Sequence, residues 1–468
     1  MVQSLLVNYT VQRRILFMRN GKDDSMKTDI LIVGSGCSGL YAALHLPADK
    51  QITIITKADL ESSDSFLAQG GICMLRDEED FDKYFQDTMK AGHYENNRQS
   101  VKIMIRESQR VIADLISYGV DFEREPDGSL AFTREGAHSE KRILFHEDIT
   151  GKEITSKLLE CVRKRPNVTL MEYTTMVDLV EERNTCYGAV LKMQDGSIQT
   201  IEADFTLLAC GGIGGLYRHS TNFRHLTGDA LAIAIRHGIK LENINYIQIH
   251  PTTFYTENDE ERSFLISESV RGEGALLYNK NMERFVDELQ PRDVVTKAIL
   301  RQMEIDGTDH VWEDLRPIPE EEMLSHFPNI VAYCREHGYD PVKECIPVVP
   351  AQHYFMGGIK VNSDSATSMN RLYAIGETAC NGVHGKNRLA SNSLLESLVF
   401  AGRATTDVIL HYDSAKSNPK LFEKLRLDKY QDAEQYGEES NKLVLNAIQQ
   451  AEWIMEEEAR VNSEGRIE

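Results

Sequence analysis

Asp29-Ile30-Leu31-Ile32-Val33 runs directly into Gly34-Ser35-Gly36-Cys37-Ser38-Gly39 and then into Leu40-Tyr41-Ala42-Ala43-Leu44. A nearly all-apolar pentapeptide reads as a buried parallel strand, and the apolar stretch after the glycines reads as a helix. Ile52-Thr53-Ile54-Ile55-Thr56 supplies a second strand. Strand, glycine turn, helix, strand is the opening βαβ unit of a dinucleotide-binding α/β fold. The first glycine permits the tight turn. The second lets backbone amides approach a pyrophosphate, and the helix N-terminus adds partial positive charge. Ordered structure is expected to begin at Thr28.

Two later segments repeat the junction. Phe205-Thr206-Leu207-Leu208-Ala209-Cys210-Gly211-Gly212 is a buried strand ending in paired glycines, and Leu372-Tyr373-Ala374-Ile375-Gly376-Glu377 closes on a glycine and an acid. The second resembles the late motif in which an acid bonds the ribitol chain of FAD, a role that falls to Glu377. Three such junctions favour FAD over NAD. The second strand also ends in Thr56-Lys57 where NAD folds usually place an acid for the ribose hydroxyls. Elsewhere, residues 98–118 carry helical spacing. Strands are expected near 168–181, 187–193 and 198–209, with Asp195-Gly196 as the hairpin turn between the last two.

At 468 residues the chain can form two or three domains. The expected organisation is a Rossmann-like FAD-binding domain over 26–255 plus 351–405. A capping or substrate domain of α+β type is inserted at 256–350, where charge and proline increase. A short C-terminal helical tail follows over 406–468, its polar helix starting near 403. Residues 1–25 match neither a signal peptide nor a helix and are expected to be a disordered extension. The net charge of -21 opposes a nucleic-acid partner, so any anionic substrate needs a local cluster of Arg and His. Eight cysteines are scattered without a C-x-x-C pair, which speaks against iron–sulfur or structural zinc sites and suits a reducing cytoplasm. The expected metal content is none. No apolar run is long enough to span a bilayer.

Arg, His and Glu recur among small polar residues in five places. These are Thr133-Arg134-Glu135-Gly136-Ala137-His138-Ser139, Gln248-Ile249-His250-Pro251-Thr252, Pro291-Arg292-Asp293, Ala351-Gln352-His353-Tyr354 and the stretch from His384 to Glu396. With Ala68-Gln69-Gly70-Gly71-Ile72, Arg271-Gly272-Glu273-Gly274-Ala275 and Asn392-Ser393-Leu394-Leu395-Glu396, the chain over about 26–405 resembles the succinate dehydrogenase/fumarate reductase flavoprotein superfamily. Within it, the T-R-E-G-x-H-S string resembles the branch of aspartate oxidases. The Thr56-Lys57 strand end also matches this group.

The resemblance implies FAD contacts at Gly34, Ser35, Gly36, Cys37, Ser38, Gly39 and Lys57, and in the loop Asp64, Ser65, Phe66, Leu67, Ala68, Gln69, Gly70, Gly71. Further contacts are implied at Asp229, Glu377, Ser393 and Leu394. Asp64 stands where succinate dehydrogenases carry the histidine that bonds FAD covalently, which implies noncovalent FAD. It further implies His250, His353, Arg388, Ser267 and Gln248 around the substrate carboxylates, Glu135 facing an α-amino group, and Arg292 as catalytic acid/base. The implied reaction is oxidation of L-aspartate to iminoaspartate, with electrons passed to oxygen or fumarate, feeding quinolinate and NAD biosynthesis. Quinolinate synthase is the implied partner. Aspartate oxidases usually carry a longer C-terminal helical domain than this tail. A soluble fumarate reductase would use the same clamp in reverse, and Glu135 opposes that reading. A non-catalytic flavoprotein is opposed by the intact Arg292, His250, His353 and Arg388 set.

Overall fold

The computed structural model describes residues 26–257, 262–415 and 417–464. The expected extension over 1–25 lies outside the described residues. The main sheet is built on the strand Met26–Val33, which starts two residues before the expected onset at Thr28. Val33 delivers the chain to Gly34, whose φ of +123° admits no ordinary side chain. A Cβ there would lie 2.0 Å from the Ala209 carbonyl oxygen, so the turn requires glycine sterically. The helix Cys37–His45 follows and is almost wholly buried. Ile52–Ile55 returns parallel to the first strand, with Ile30 opposite Ile52.

Seven strands complete this sheet. Val168–Met171 lies outside Ile52–Ile55, while the long strand Ile198–Leu208 runs parallel to the first strand on its other side. The N-terminal part of that long strand pairs antiparallel with Cys186–Lys192, through the expected Asp195-Gly196 turn. Its C-terminal part pairs parallel with Leu372–Ala374. All three strand-to-glycine junctions therefore open at the same edge, where ligands bind in parallel α/β sheets. One apolar core packs the helices Cys37–His45, Arg98–Ser117, Thr150–Arg163 and Ser393–His411 on one face of the sheet. A second core covers the other face with the helix Asp229–Arg236 and the terminal helix Ala433–Glu464, through Val444 and Ile448. The helix expected from about 403 instead starts at Ser393, because Leu394, Leu395, Leu398 and Val399 give it a buried stripe well before the polar residues begin.

A third core, from Phe254 to Val348, is enclosed by a four-stranded antiparallel sheet and four helices. The first and last of its strands in the chain, Ile247–Phe254 and Ile346–Phe355, reach beyond the 256–350 stretch on both sides. These two strands pair with two register shifts. Tyr354 and Gln352 oppose the consecutive Gln248 and Ile249, which leaves His353 as an extra residue. The second shift follows His250 and lets Pro251 and Pro350 sit in the sheet without breaking a regular ladder. Such bulges re-aim side chains, and here they flank two histidines. No helix among the described residues is long and apolar enough to cross a membrane.

Candidate active site

One cavity of about 1760 Å³, partly open to solvent, runs from the glycine turn to the edge of the second sheet. At one end it is lined by Gly34, Ser35, Gly36 and Ser38, below the N-terminus of the helix Cys37–His45. That helix has no acid in its own first turn to offset its positive end. Cys37 and Gly39 lie beneath the cavity and not on its wall. The Cys37 amide donates to Ser65 Oγ at 3.2 Å, and burial pushes the thiol up to about 11. Gly39 packs on the turn, where a Cβ would come within 2.2 Å of the Gly34 carbonyl oxygen.

Lys57 lines the cavity and its Nζ lies 2.8 Å from Asp229 and 3.1 Å from Thr227 Oγ1. Asp229 opens its helix after Gly228, whose φ is +73°. The acid absent from the strand end is thus brought to it by another segment. Asp64 starts the short helix Asp64–Leu67 and accepts the Phe223 amide at 3.0 Å, while its other oxygen is buried without a hydrogen-bond partner among the described residues. Glu377 accepts the Phe355 amide at 2.8 Å. Burial raises the pKa of both carboxyls, and the charge of Asp64 raises Glu377 further. Ser65, Leu67, Ala68, Gln69, Gly70, Gly71, Ser393 and Leu394 also line the cavity, whereas Phe66 does not.

At the far end, Glu135, His250, Ser267, Arg292, His353 and Arg388 converge. The rings of His250 and His353 lie 5.1 Å apart. Thr221 Oγ1 sits 2.7 Å from His353 Nδ1, and His250 Nδ1 faces the Thr252 backbone. His250 Nε2 is buried with no partner among the described residues. Burial first, and then the charge of Arg292, depress both imidazoles well below their usual range, so both are neutral at neutral pH. Anion attraction therefore rests on the guanidinium groups. Arg388 is itself pushed down to about 10 by burial and by Arg292.

Gln248 does not reach the cavity wall. Its Oε1 accepts from Arg292 Nη1 at 3.0 Å and from Arg388 Nε at 3.1 Å, and its amide nitrogen donates to Asn387 and the Arg388 carbonyl. The side chain spaces the two guanidinium groups. Arg388 also donates to Ser393 Oγ and lies over the Tyr354 ring at 4.6 Å. Ser267 caps the helix Glu268–Gly272 through the Ser269 amide. Glu135 is buried and accepts hydrogen bonds from Ser391 Oγ at 2.5 Å and Ser269 Oγ at 2.9 Å. Its pKa is raised, first by burial, and Ser391 and the other hydrogen bonds only partly offset this.

Three participants escape a reading of the sequence. Glu268 accepts a hydrogen bond from Arg292 Nε and lies 3.6 Å from Arg271 Nη2. An acid after a helix-capping serine reads as a helix-end charge, and only the fold reveals its partner. Ser269 and Ser391 are ordinary small polar residues in sequence. The string Arg271-Gly272-Glu273-Gly274-Ala275 pointed at this region without singling out the carboxylate.

Residues 29–394 match the FAD binding domain family. The chain is 49% identical over 402 residues to the L-aspartate oxidase of Clostridium perfringens, spanning 86% of this chain and 91% of that protein. It belongs to the L-aspartate oxidase family. Another member, from Clostridium acetobutylicum, is 48% identical over 82% of this chain and 88% of its own length. Among solved structures, the fold is similar to a FrdA mutant of E. coli quinol fumarate reductase, with TM-score 0.79 and 29% identity over 86% of this chain and 73% of that one. As a member of this flavoprotein family the protein is an FAD-dependent oxidoreductase. The cavity fits that cofactor, with a glycine turn closed to any side chain, a helix N-terminus with no acid in its first turn, and buried acceptors on Asp64 and Gln69 that lack partners among the described residues.

Proposed function

We propose that the protein oxidises L-aspartate to iminoaspartate, passes the electrons to oxygen or fumarate, and so feeds quinolinate and NAD biosynthesis. The observation that carries this reading is a second buried carboxylate, Glu135, set with the Arg292-bound Glu268 among Arg292, Arg388 and two neutral imidazoles at the inner end of the cofactor cavity. Glu268 is taken up by its arginine, whereas Glu135 is held by the Ser269 and Ser391 hydroxyls, and a site for a plain dicarboxylate has no use for a buried acid of that kind. The substrate's ammonium group does.

In this reading the glycine turn, Lys57, Asp229, the 64–71 loop, Glu377, Ser393 and Leu394 hold FAD noncovalently. Bound FAD supplies the two-electron sink that accepts the hydride leaving Cα. Arg388, His250, His353 and Ser267 grip the two carboxylates, and Gln248 fixes the spacing of the arginines that do so. Holding reacting groups in one geometry is worth about 7 kcal/mol or more. Glu135 pairs with the ammonium, and its raised pKa brings it toward the proton affinity that a base for the amine needs. Arg292 serves as the acid/base of the site, and Glu268 connects it to Arg271. Residues 256–350 act as the cap, 26–255 plus 351–405 as the cofactor domain, and 406–468 as a C-terminal helical segment. The protein acts in the cytoplasm, with quinolinate synthase as the consumer of its product.

Substrate-dependent bleaching of bound flavin by aspartate tests the reaction. Glu135→Gln tests the specificity, because it removes one negative charge while keeping size and hydrogen bonding. A hydrogen bond to a charged group is worth about 1.5–3 kcal/mol, so kcat/KM for aspartate should fall roughly ten- to a hundredfold. Fumarate, which lacks the ammonium, should be reduced at least as well as before. Equal losses with both substrates would favour a soluble fumarate reductase.

A further inference from the structure

Arg292 and Asp293 are consecutive at the start of the helix Arg292–Asp306. Arg292 lines the cavity, whereas Asp293 meets the other side of the molecule: its Oδ2 lies 3.3 Å from His93 Nε2. Its Oδ1 is buried without a hydrogen-bond partner among the described residues. His93 belongs to the turn that follows the helix Phe81–Ala91. His93 and Tyr94 hold consecutive left-handed conformations, with φ of +56° and +62°, which a residue with a Cβ disfavours. Such backbone persists only where its surroundings over-determine it. The Tyr94 amide donates to the Met89 carbonyl at 2.8 Å and the Asn97 amide to the Gly382 carbonyl at 2.7 Å, while Asn96 Nδ2 donates to the Val383 carbonyl at 2.8 Å. The Lys386 amide donates to the Gly92 carbonyl at 3.2 Å, and Asn387 Nδ2 to the Ala91 carbonyl at 3.1 Å. The strained turn is thus fastened to residues 382–387, immediately before Arg388. It touches the loop of one site arginine and the neighbour of the other.

We propose that His93 is a positioning residue for Arg292: through Asp293 it latches the helix Arg292–Asp306 to the cofactor domain, and so brings Arg292 to Arg388 before substrate arrives. This rests on the reading of the site as a dicarboxylate clamp closed from two sides. Gln248 spaces the two arginines from within, and the His93 turn joins their segments from outside. The imidazole is 45% exposed and the Asp293 side chain 26%. A pair so open to solvent shifts an equilibrium by no more than about fivefold. That is too little to hold the fold together, and enough to set the balance between an open and a closed cap. A ligand that requires the closed form binds more weakly in proportion to the fraction of protein left open.

The test uses holoenzyme and follows succinate binding by the perturbation of flavin absorbance, which needs no turnover. His93→Gly removes the imidazole and relieves the left-handed backbone. The succinate dissociation constant and the KM for aspartate should rise about two- to fivefold, with kcat within about twofold of wild type. The thermal midpoint should stay unchanged, because the strain relieved offsets the freedom that a glycine adds to the unfolded chain. A residue that merely held the turn together would lower it. His93→Gln, whose amide donates at a similar reach, should recover the affinity. In Asp293→Ala, adding His93→Gly should weaken binding no further. Without ligand, proteolysis within residues 262–345 should be faster in His93→Gly than in wild type, and saturating succinate should remove the difference. Unchanged succinate affinity in His93→Gly, a loss that comes with a lower thermal midpoint, no recovery in His93→Gln, or additive losses in the double variant would each overturn the proposal. A wild type that neither binds succinate nor oxidises aspartate would overturn the dicarboxylate clamp and the latch together.

Discussion

Asp64 shows how much a single position can decide. Its resemblance-based position is that of a flavin-bonding histidine, and the structure gives it a carboxyl bonded to the Phe223 amide and raised in pKa by burial. A carboxyl in that state is no substitute for an imidazole nitrogen as a point of covalent attachment. Acid precipitation of the holoenzyme should leave the yellow chromophore in the supernatant, and colour in the washed pellet would contradict noncovalent binding. The same scale marks the limit of reading a sequence. Arg292, His250 and Arg388 each have a bland reading alone, and they were singled out by the number and order of such segments together with the family resemblance. Glu268 was not, because a glutamate at a helix start has a bland role everywhere, and Gln248 was expected at the substrate carboxylates, whereas its side chain bonds both arginines. Their function is to orient guanidinium groups, which depends on which arginines the fold brings within reach.

Elements were legible where local chemistry and burial agree. The apolar run before Gly34 and the Asp195-Gly196 turn each permit only one local geometry, and both stand as expected. The start at Ser393 was missed because Asn392-Ser393-Leu394-Leu395-Glu396 reads equally as a binding loop and as a helix end. The strand Ile346–Phe355 was hidden by Pro347 and Pro350, which a sheet tolerates only where bulges relax the ladder. A buried network then fixes the loop that carries Glu135. Arg142 is fully buried and binds both Asp80 oxygens, Asp87 at 2.7 Å and His138 Nδ1 at 3.0 Å, while His138 Nε2 meets the Ala390 carbonyl at 3.1 Å. Arg142→Met would leave two carboxylates without their cation. Removing one partner of a buried pair costs about 3–5 kcal/mol. Urea denaturation should show a loss of that size, and Arg142→Lys a smaller one, since a lysine keeps the charge without the fork. A midpoint unchanged in Arg142→Met would mean the network contributes nothing to holding this loop.

Across the whole molecule the substrate site straddles two cores. Arg388 and Glu135 belong to segments packed on the main sheet, whereas Ser267, Glu268 and Arg292 stand on helices of the second core. A dicarboxylate gripped by both sides adds attachments between them that neither core provides alone. Its binding energy should therefore appear as resistance to their separation. Ligand binding to the folded state stabilises it by about 2.7 kcal/mol at one hundred times Kd. That general effect slows cleavage everywhere in proportion to global unfolding. A cross-core clamp predicts more: succinate should protect sites within residues 262–345 more strongly than sites in the terminal helix Ala433–Glu464, because local opening of the second core is what the ligand opposes. Arg292→Ala and Arg388→Ala should each abolish the excess protection, the first from the cap side and the second from the cofactor side. Holoenzyme digested with and without saturating succinate, with fragments identified by mass, makes the comparison. Equal slowing in both regions, or excess protection that survives either substitution, would show that the ligand is held by one core alone and that the second does not close upon it.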